Sequence, residues 1–174
     1  KENNYWLRII QYYYFYNLNT NENYIIETAG KEGIEFYRMN WLRYPENKSI
    51  PQAVEEFQQT VKALSQLNKK HGIVGCYQNH SGNLAGASLW ELWDIIQKAD
   101  KDYMGVQYDI RHGVVEGGLS WKNGLRLIQP HIKILAINQL ADERAEEPSL
   151  AKTVTVEVDS VDAQKLALAQ TVGT

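Results

Sequence analysis

Cysteine is almost absent from this sequence, and neither sign of charge dominates it. Cys76 is the single cysteine among 174 residues, so an intrachain disulfide is excluded and a reducing compartment suits the chain. The net charge of -3 gives no basic surface of the kind that binds nucleic acid. No apolar run approaches the roughly 20 residues of a membrane span, and no signal peptide is visible. These absences exclude a nucleic-acid module and a membrane span, and they favour the cytoplasm.

What the sequence does contain, between residues 34 and 138, is a regular alternation of strands and helices. Apolar runs that predict buried strands begin near Ile34, Ile73, Met104 and Ile132. Each is separated from the next by enough chain for a crossover helix, and the intervening segments repeat apolar residues with a helical period. The strands are apolar almost throughout, as expected where both faces are covered. With right-handed crossovers, the pattern predicts a parallel sheet whose strands all end on one rim.

Local signals predict the bounds of individual helices. A first helix is expected from about residue 21 to 31, between Thr20 as N-cap and Gly33 as a stop. A later helix is expected to start at Ser88, because Ser88 and Glu91 have the spacing of a capping box.

The chain is short for the architecture that this rhythm indicates. A complete eight-stranded α/β barrel takes about 250 residues, so the sequence predicts a partial (β/α) TIM-type barrel with parallel strands over residues 20–138. An aromatic-rich segment at 1–19 precedes it, and its structure is not predicted. Residues 139–174 form a linker and a tail, in which alternation from Thr153 to Val158 predicts a half-exposed strand before a short helix. A half barrel exposes two sheet edges, so self-association and a fragment-like, incomplete domain are expected.

Polar side chains follow each predicted strand. The richest clusters are Gln78-Asn79-His80-Ser81 and Asp109-Ile110-Arg111-His112. Because the carboxyl ends of successive parallel strands share a rim, the two clusters should lie close together. Amides and imidazoles hydrogen-bond hydroxyl groups, arginine matches phosphate or carboxylate, and a carboxylate beside an amide oxygen can hold a divalent ion. The other rim residues are Arg38, Asn40, Trp41 and Arg43 after the first strand, Glu116 beyond the third, and Asn138 and Gln139 after the fourth.

Simpler interpretations of these residues remain open at this point. His80 can be a structural hydrogen-bonding group rather than a ligand. Asp109 can cap the helix that follows it, since carboxylates are favoured at turns and N-caps. Trp41 can stack on a sugar ring or simply pack in the core.

Three segments carry a resemblance to a known family. GIEFYRM at 33–39, YQNHSG at 77–82 and MGVQYDIRHGVVEGG at 104–118 resemble the sugar phosphate isomerases/epimerases of the xylose isomerase-like TIM-barrel superfamily. The resemblance covers about residues 20–135. It implies proton transfer next to a carbonyl of a sugar or sugar phosphate, with Mn²⁺ or Mg²⁺ as a possible cofactor.

The resemblance also implies roles for individual residues. It makes Asp109 a metal ligand, and Gln78 lies where many relatives carry a metal-binding glutamate. A glutamine is a neutral and weaker ligand, and the last strand, which supplies a second catalytic glutamate in the family, has no counterpart. Little or no turnover is therefore expected. The site predicted on this basis has His80, His112 and Arg111 as catalytic residues, Asn79, Arg38, Trp41 and Glu116 as substrate-binding residues, and Asp109 and Gln78 as metal ligands.

The tail resembles a different family. ILAINQ at 134–139, AKTVTVEV at 151–158 and AQKLALAQ at 163–170 resemble the Flp pilus assembly protein of the CpaB/RcpC family. That resemblance implies a periplasmic, non-enzymatic pilus-assembly fragment as the alternative function. The two resemblances meet near residues 133–138, and we hypothesise that the chain combines pieces of two genes. One uninterrupted reading frame across codons 125–150 in an independent isolate would contradict this.

Overall fold

Six strands form one sheet whose order follows the chain. The computed structural model describes residues 9–13, 20–137 and 154–157, with side chains from residue 23 to residue 136. The first five strands are parallel, and the sixth runs antiparallel beside the fifth. The strands are β1 (Ile9–Tyr13), β2 (Phe36–Met39), β3 (Val74–Gln78), β4 (Met104–Asp109), β5 (Ile132–Ile137) and β6 (Val154–Glu157). The helices are α1 (Thr20–Lys31), α2 (Ile50–His71), α3 (Leu89–Ile96), α4 (Ile110–Gly117) and α5 (Trp121–Ile128).

The predicted α/β fold class is confirmed. All four predicted strands are present and parallel, and β4 begins at Met104, where its apolar run was predicted to begin. At least one helix lies between each of the five parallel strands and the next, as the crossover rule requires. Parallel strands flanked by helices in this order are what a partial TIM-type barrel contains.

The capping box predicted at Ser88 does not form, although Ser88 is the N-cap of α3. Glu91 turns away from the start of the helix. It accepts a hydrogen bond of 2.7 Å from the backbone N–H of Gly86 and another from the hydroxyl of Tyr44. Gly86 has a φ of 75°, a left-handed conformation that glycine adopts without strain and that helps to place this N–H beside Glu91. The reciprocal side-chain contact is found instead at α2, where the Ser49 N–H donates to the Gln52 side chain over 3.1 Å.

The core lies between the sheet and its helices. Alternate strand residues such as Tyr77 and Tyr108 point toward the helices and join one large apolar cluster. The opposite face carries a smaller cluster of Phe36, Cys76 and Ile134. Burial raises the pKa of the Cys76 thiol to about 12, so this cysteine stays neutral and unreactive.

The two ends of the chain add the outer strands. β1 arises from the aromatic-rich segment and pairs with β2, so this segment contributes a strand that the sequence did not predict. β6 falls within the alternating tail segment that was predicted to form a strand, and it pairs antiparallel with β5. The predicted tail helix lies outside the described residues, and self-association through sheet edges stays a prediction. None of the helices in the described ranges has the length and apolarity to cross a membrane.

His131, just before β5, gives a prediction about pH and stability. Burial, followed by the charges of Lys133 and Lys101, lowers its pKa. The unfolded chain therefore binds the proton more readily, and stability is lost as pH falls below the ordinary pKa of about 6.5. We expect the free energy of unfolding to decrease between about pH 7 and pH 5.5, and to decrease less in His131→Gln. Urea denaturation at both pH values measures the difference, and identical pH dependence in the two proteins would contradict it.

Candidate functional site

Asn79 joins the ends of β3 and β4. Its side-chain Nδ2 donates to the carbonyl of Asp109 over 2.9 Å, and its Oδ1 accepts from the N–H of Asp109 over 2.7 Å. The side-chain amide thus makes the two hydrogen bonds that a backbone peptide group would make between β3 and β4, at the point where β3 ends. Both residues are 0 % exposed. The two predicted clusters therefore meet at one rim, as the parallel arrangement of their strands required.

The Asp109 carboxylate has two roles, and one of them is the helix cap that the sequence analysis left open. Its Oδ1 accepts the backbone N–H of His112 over 3.3 Å, which makes Asp109 the N-cap of α4. Its Oδ2 faces the site, where it accepts from Gln78 Nε2 at 3.3 Å and lies 3.9 Å from His112 Nε2. One carboxylate therefore starts the helix and also lines the site.

Arg38 determines how the Gln78 amide is turned. The guanidinium is a donor only, and its Nη1 lies 2.5 Å from Gln78, so the atom that faces it must be the carbonyl oxygen Oε1. The amide nitrogen of Gln78 is consequently directed at Asp109. Arg38 is 4 % exposed and Gln78 is 0 % exposed, so this contact is shielded from water.

Two imidazoles share the mouth of the site and are oriented by Ser81. His80 Nδ1 lies 2.8 Å from the Ser81 carbonyl, which only accepts, so this nitrogen carries the proton and Nε2 is the acceptor of the neutral ring. Ser81 Oγ lies 2.8 Å from His112 Nδ1. The negative charge of Asp109 favours a proton on His112 Nε2, which leaves Nδ1 to accept from the Ser81 hydroxyl. The ring centroids of His80 and His112 are 4.0 Å apart.

The surroundings of His112 disfavour its charged form. Burial lowers the pKa of His112, against the opposing effect of the Asp109 carboxylate. A charge on the neighbouring His80 lowers it further.

The remaining predicted site residues lie at different distances from this centre. The Trp41 ring packs on His80 with centroids 4.6 Å apart, and its Nε1 is buried without a hydrogen-bond partner in the described part of the chain. Glu116 is exposed and accepts the N–H of Gly82 over 3.1 Å. Arg111 is exposed on the first turn of α4. Asn138 and Gln139 lie outside the described residues.

Sequence reasoning missed two features of this rim. It placed Ser81 in the cluster but gave it no role, although its hydroxyl and carbonyl orient both imidazoles. It also missed the half-buried carboxyl of Glu91, whose pKa is raised by burial. The position of Ser81 directly after His80 was a signal in the sequence for its role. Nothing in the sequence signalled the half-buried carboxyl of Glu91. Glu91 lines a groove of about 560 Å³ next to the site, together with Arg43, Tyr44, Gly82, Asn83 and Glu116.

The donor set does not suit a divalent cation. Within residues 23–136, no three His, Cys, Asp or Glu side chains come together as a metal-binding group. Gln78, the second predicted ligand, turns its oxygen to Arg38 and its N–H to Asp109, so the two side chains do not offer oxygen atoms to a common point. The guanidinium also adds a positive charge where a cation would need negative ones.

Comparison with known proteins identifies the class to which this fold and site belong. The family model described as "Xylose isomerase-like TIM barrel" matches residues 25–152. The chain belongs to this family. No curated protein matches the chain.

Solved structures of the same fold are distant in sequence. The IolI protein, whose structure contains a bound zinc atom, is 15% identical with a TM-score of 0.60, covering 92% of this chain and 62% of that one. The probable 3-DHS dehydratase AsbF of Bacillus anthracis is 14% identical with a TM-score of 0.54, covering 73% and 48%. A D-tagatose 3-epimerase-like protein is 13% identical with a TM-score of 0.52, covering 70% and 51%. The chain therefore spans about half the length of two of these structures, and the likeness shows the fold alone.

Proposed function

We propose that the rim formed by residues 78–81 and 109–112 binds a ketose or ketose phosphate and moves the proton beside its carbonyl. The family match places the chain among isomerase- and epimerase-related barrels. The observation that carries the proposal is the pair of imidazoles beside a buried carboxylate, which combines proton acceptors with hydroxyl-binding groups. We also propose that the chain acts in the cytoplasm.

The gap between His112 and Asp109 suits a sugar hydroxyl. The 3.9 Å between His112 Nε2 and Asp109 Oδ2 is too long for a direct hydrogen bond. A ligand oxygen can lie at about 2.8 Å from both atoms, accepting from the imidazole and donating to the carboxylate. The unpartnered indole N–H of Trp41, with its ring against His80, offers a further donor on the same side.

His80 is the candidate proton acceptor. With Nδ1 committed to the Ser81 carbonyl, its Nε2 can take the proton from the carbon next to the carbonyl. The electron pair of the broken C–H bond moves to the carbonyl oxygen and generates an enediolate. Returning the proton to the other face or to the neighbouring carbon gives epimerisation or isomerisation. We expect little net turnover by this chain, because the buried carboxylate of Asp109 is paired with a neutral glutamine at this rim.

Ligand binding tests the proposal through His112. Saturation-transfer NMR with D-fructose, D-tagatose and dihydroxyacetone phosphate is expected to show binding of at least one of them. His112→Asn should weaken that binding by roughly 5-fold or more, because a buried hydrogen-bond partner is lost. His71→Asn is the matched control, since His71 ends α2 just before β3 begins, whereas the site lies past the end of that strand. If none of the three ligands binds, or if His112→Asn and His71→Asn lose affinity equally, the proposal is contradicted.

Turnover is tested separately from binding. Incubation with the ligand in D₂O, followed by NMR of the carbon-bound protons, measures proton removal directly. We expect slow or undetectable exchange, and robust metal-dependent epimerisation by the 174-residue chain would contradict that expectation. The alternative of a pilus-assembly fragment rests on residues of which the structure describes only 154–157 beyond β5. Ketose binding that depends on His112 favours the sugar site over it.

A further inference from the structure

Arg38 places a fixed cation at this site, where it is linked to Asp109 through the side chain of Gln78. Arg38 and Asp109 are both buried, and Gln78 connects them through one hydrogen bond of 2.5 Å and another of 3.3 Å. The guanidinium cannot lose its proton, so the charge is permanent. A divalent ion bound at Asp109 would have to lie close to this fixed cation in a dry environment, where like charges repel strongly.

The position of Arg38 relates it to the reacting centre. Its Cζ lies 5.1 Å from the centroid of the Trp41 ring, and that ring lies 4.6 Å from the His80 ring. The side chains of Arg38, Trp41 and His80 thus form a continuous row that ends at His80, the proposed proton acceptor. A planar guanidinium is well suited to bind two oxygen atoms of one ligand, which is the arrangement that an enediolate or a 2-hydroxycarboxylate presents.

We propose that Arg38, rather than a divalent ion, supplies the positive charge that binds the carbonyl and hydroxyl oxygens of the ligand at this site. The inference deepens the proposed function and rests on it. When the C–H bond breaks and its proton passes to His80 Nε2, the negative charge on the former carbonyl oxygen is balanced by the guanidinium. Gln78 holds the guanidinium in place, which explains a glutamine where a metal ligand would need a carboxylate. A small anion with adjacent oxygens, such as a 2-hydroxycarboxylate, mimics the enediolate and should therefore bind at the same guanidinium.

Metal titration of the wild-type chain is the first test. After dialysis against EDTA, addition of Mn²⁺ to millimolar concentration is expected to leave the melting temperature within about 1 °C. The EPR signal of free Mn²⁺ should remain undiminished. A saturable rise in melting temperature with loss of that signal, both abolished by Asp109→Ala, would overturn the inference.

Anion binding is the second test, with glycolate as the probe. Isothermal titration calorimetry in EDTA should detect glycolate binding to the wild type. Arg38→Gln should weaken it by at least tenfold, because a charge-assisted pair of hydrogen bonds is removed. Arg126→Gln, which alters an exposed arginine on α5, should leave it unchanged. No glycolate binding to the wild type, or binding that Arg38→Gln leaves intact, would overturn the inference.

A conservative variant covers loss of folding. If circular dichroism shows that Arg38→Gln is unfolded, Arg38→Lys keeps the charge without the planar fork and should bind glycolate with intermediate affinity. Wild-type affinity in Arg38→Lys would overturn the role of the guanidinium. Ketose binding only in the presence of Mn²⁺ would end this inference while leaving the proposed sugar site intact. Failure of every ketose to bind would instead end the proposed function.

Discussion

Replacing Asn79 by alanine is expected to lower the free energy of unfolding by about 2–4 kcal/mol. The Asn79 side chain satisfies both the N–H and the carbonyl of Asp109 in a position with no access to water. Alanine leaves both groups without partners, and each buried orphan costs about 1–3 kcal/mol. Urea denaturation followed by circular dichroism gives the difference from the wild type.

Asn83→Ala is the matched control for Asn79→Ala. Asn83 is exposed in the same loop, so the identical substitution should change stability by no more than about 0.5 kcal/mol. The Asn79 variant should also lose ketose and glycolate binding, because Asp109 fixes the first turn of α4 and therefore His112. If the two variants are equally stable, Asn79 does not join the strand ends in the way described.

Replacing Leu92 by alanine is expected to lower the free energy of unfolding by about 2–5 kcal/mol. Leu92 lies on α3, is 0 % exposed and belongs to the large cluster between the sheet and the helices. Its truncation removes apolar contacts and leaves a cavity that the surrounding helices and strands fill only in part. Thermal and urea denaturation together measure the loss.

The same substitution at Leu119 provides the control. Leu119 is fully exposed, at 106%, in the short turn before α5. Its change to alanine should alter stability by less than about 0.5 kcal/mol, since little apolar area returns to water. If Leu92→Ala lowers the free energy of unfolding as little as Leu119→Ala does, α3 does not pack on the sheet as described.

The strands and their common direction could be predicted because their signals are local and strong. The run from Met104 to Asp109 is buried along its whole length, and the crossover rule then fixes which end carries the chemistry. From this it followed that Asn79 and Asp109 would be neighbours. The hydrogen bonds between them could not be predicted, since they depend on register and rotamers that no single sequence reveals.

Predictions failed, or could not be made, where a hydrogen-bond partner distant in the sequence competes with a local one. Glu91 has capping-box spacing from Ser88, yet it bonds to Gly86 and to Tyr44, and Tyr44 lies 47 residues away in sequence. The strand at Ile9–Tyr13 was not predicted because its aromatic residues do not follow the apolar pattern of the other strands. The orientation of Gln78 likewise needs Arg38, which lies on the neighbouring strand β2, 40 residues away in the sequence.

The contact between Arg38 and Gln78 constrains the order in which mutations can change this site. Gln78→Glu alone would place a carboxylate against the guanidinium, and the resulting ion pair would occupy both groups. Loss of Arg38 alone would leave the Asp109 carboxylate buried without the positive charge that balances it. Exchanging this arginine-centred arrangement for one that holds a metal therefore requires positions 38 and 78 to change together.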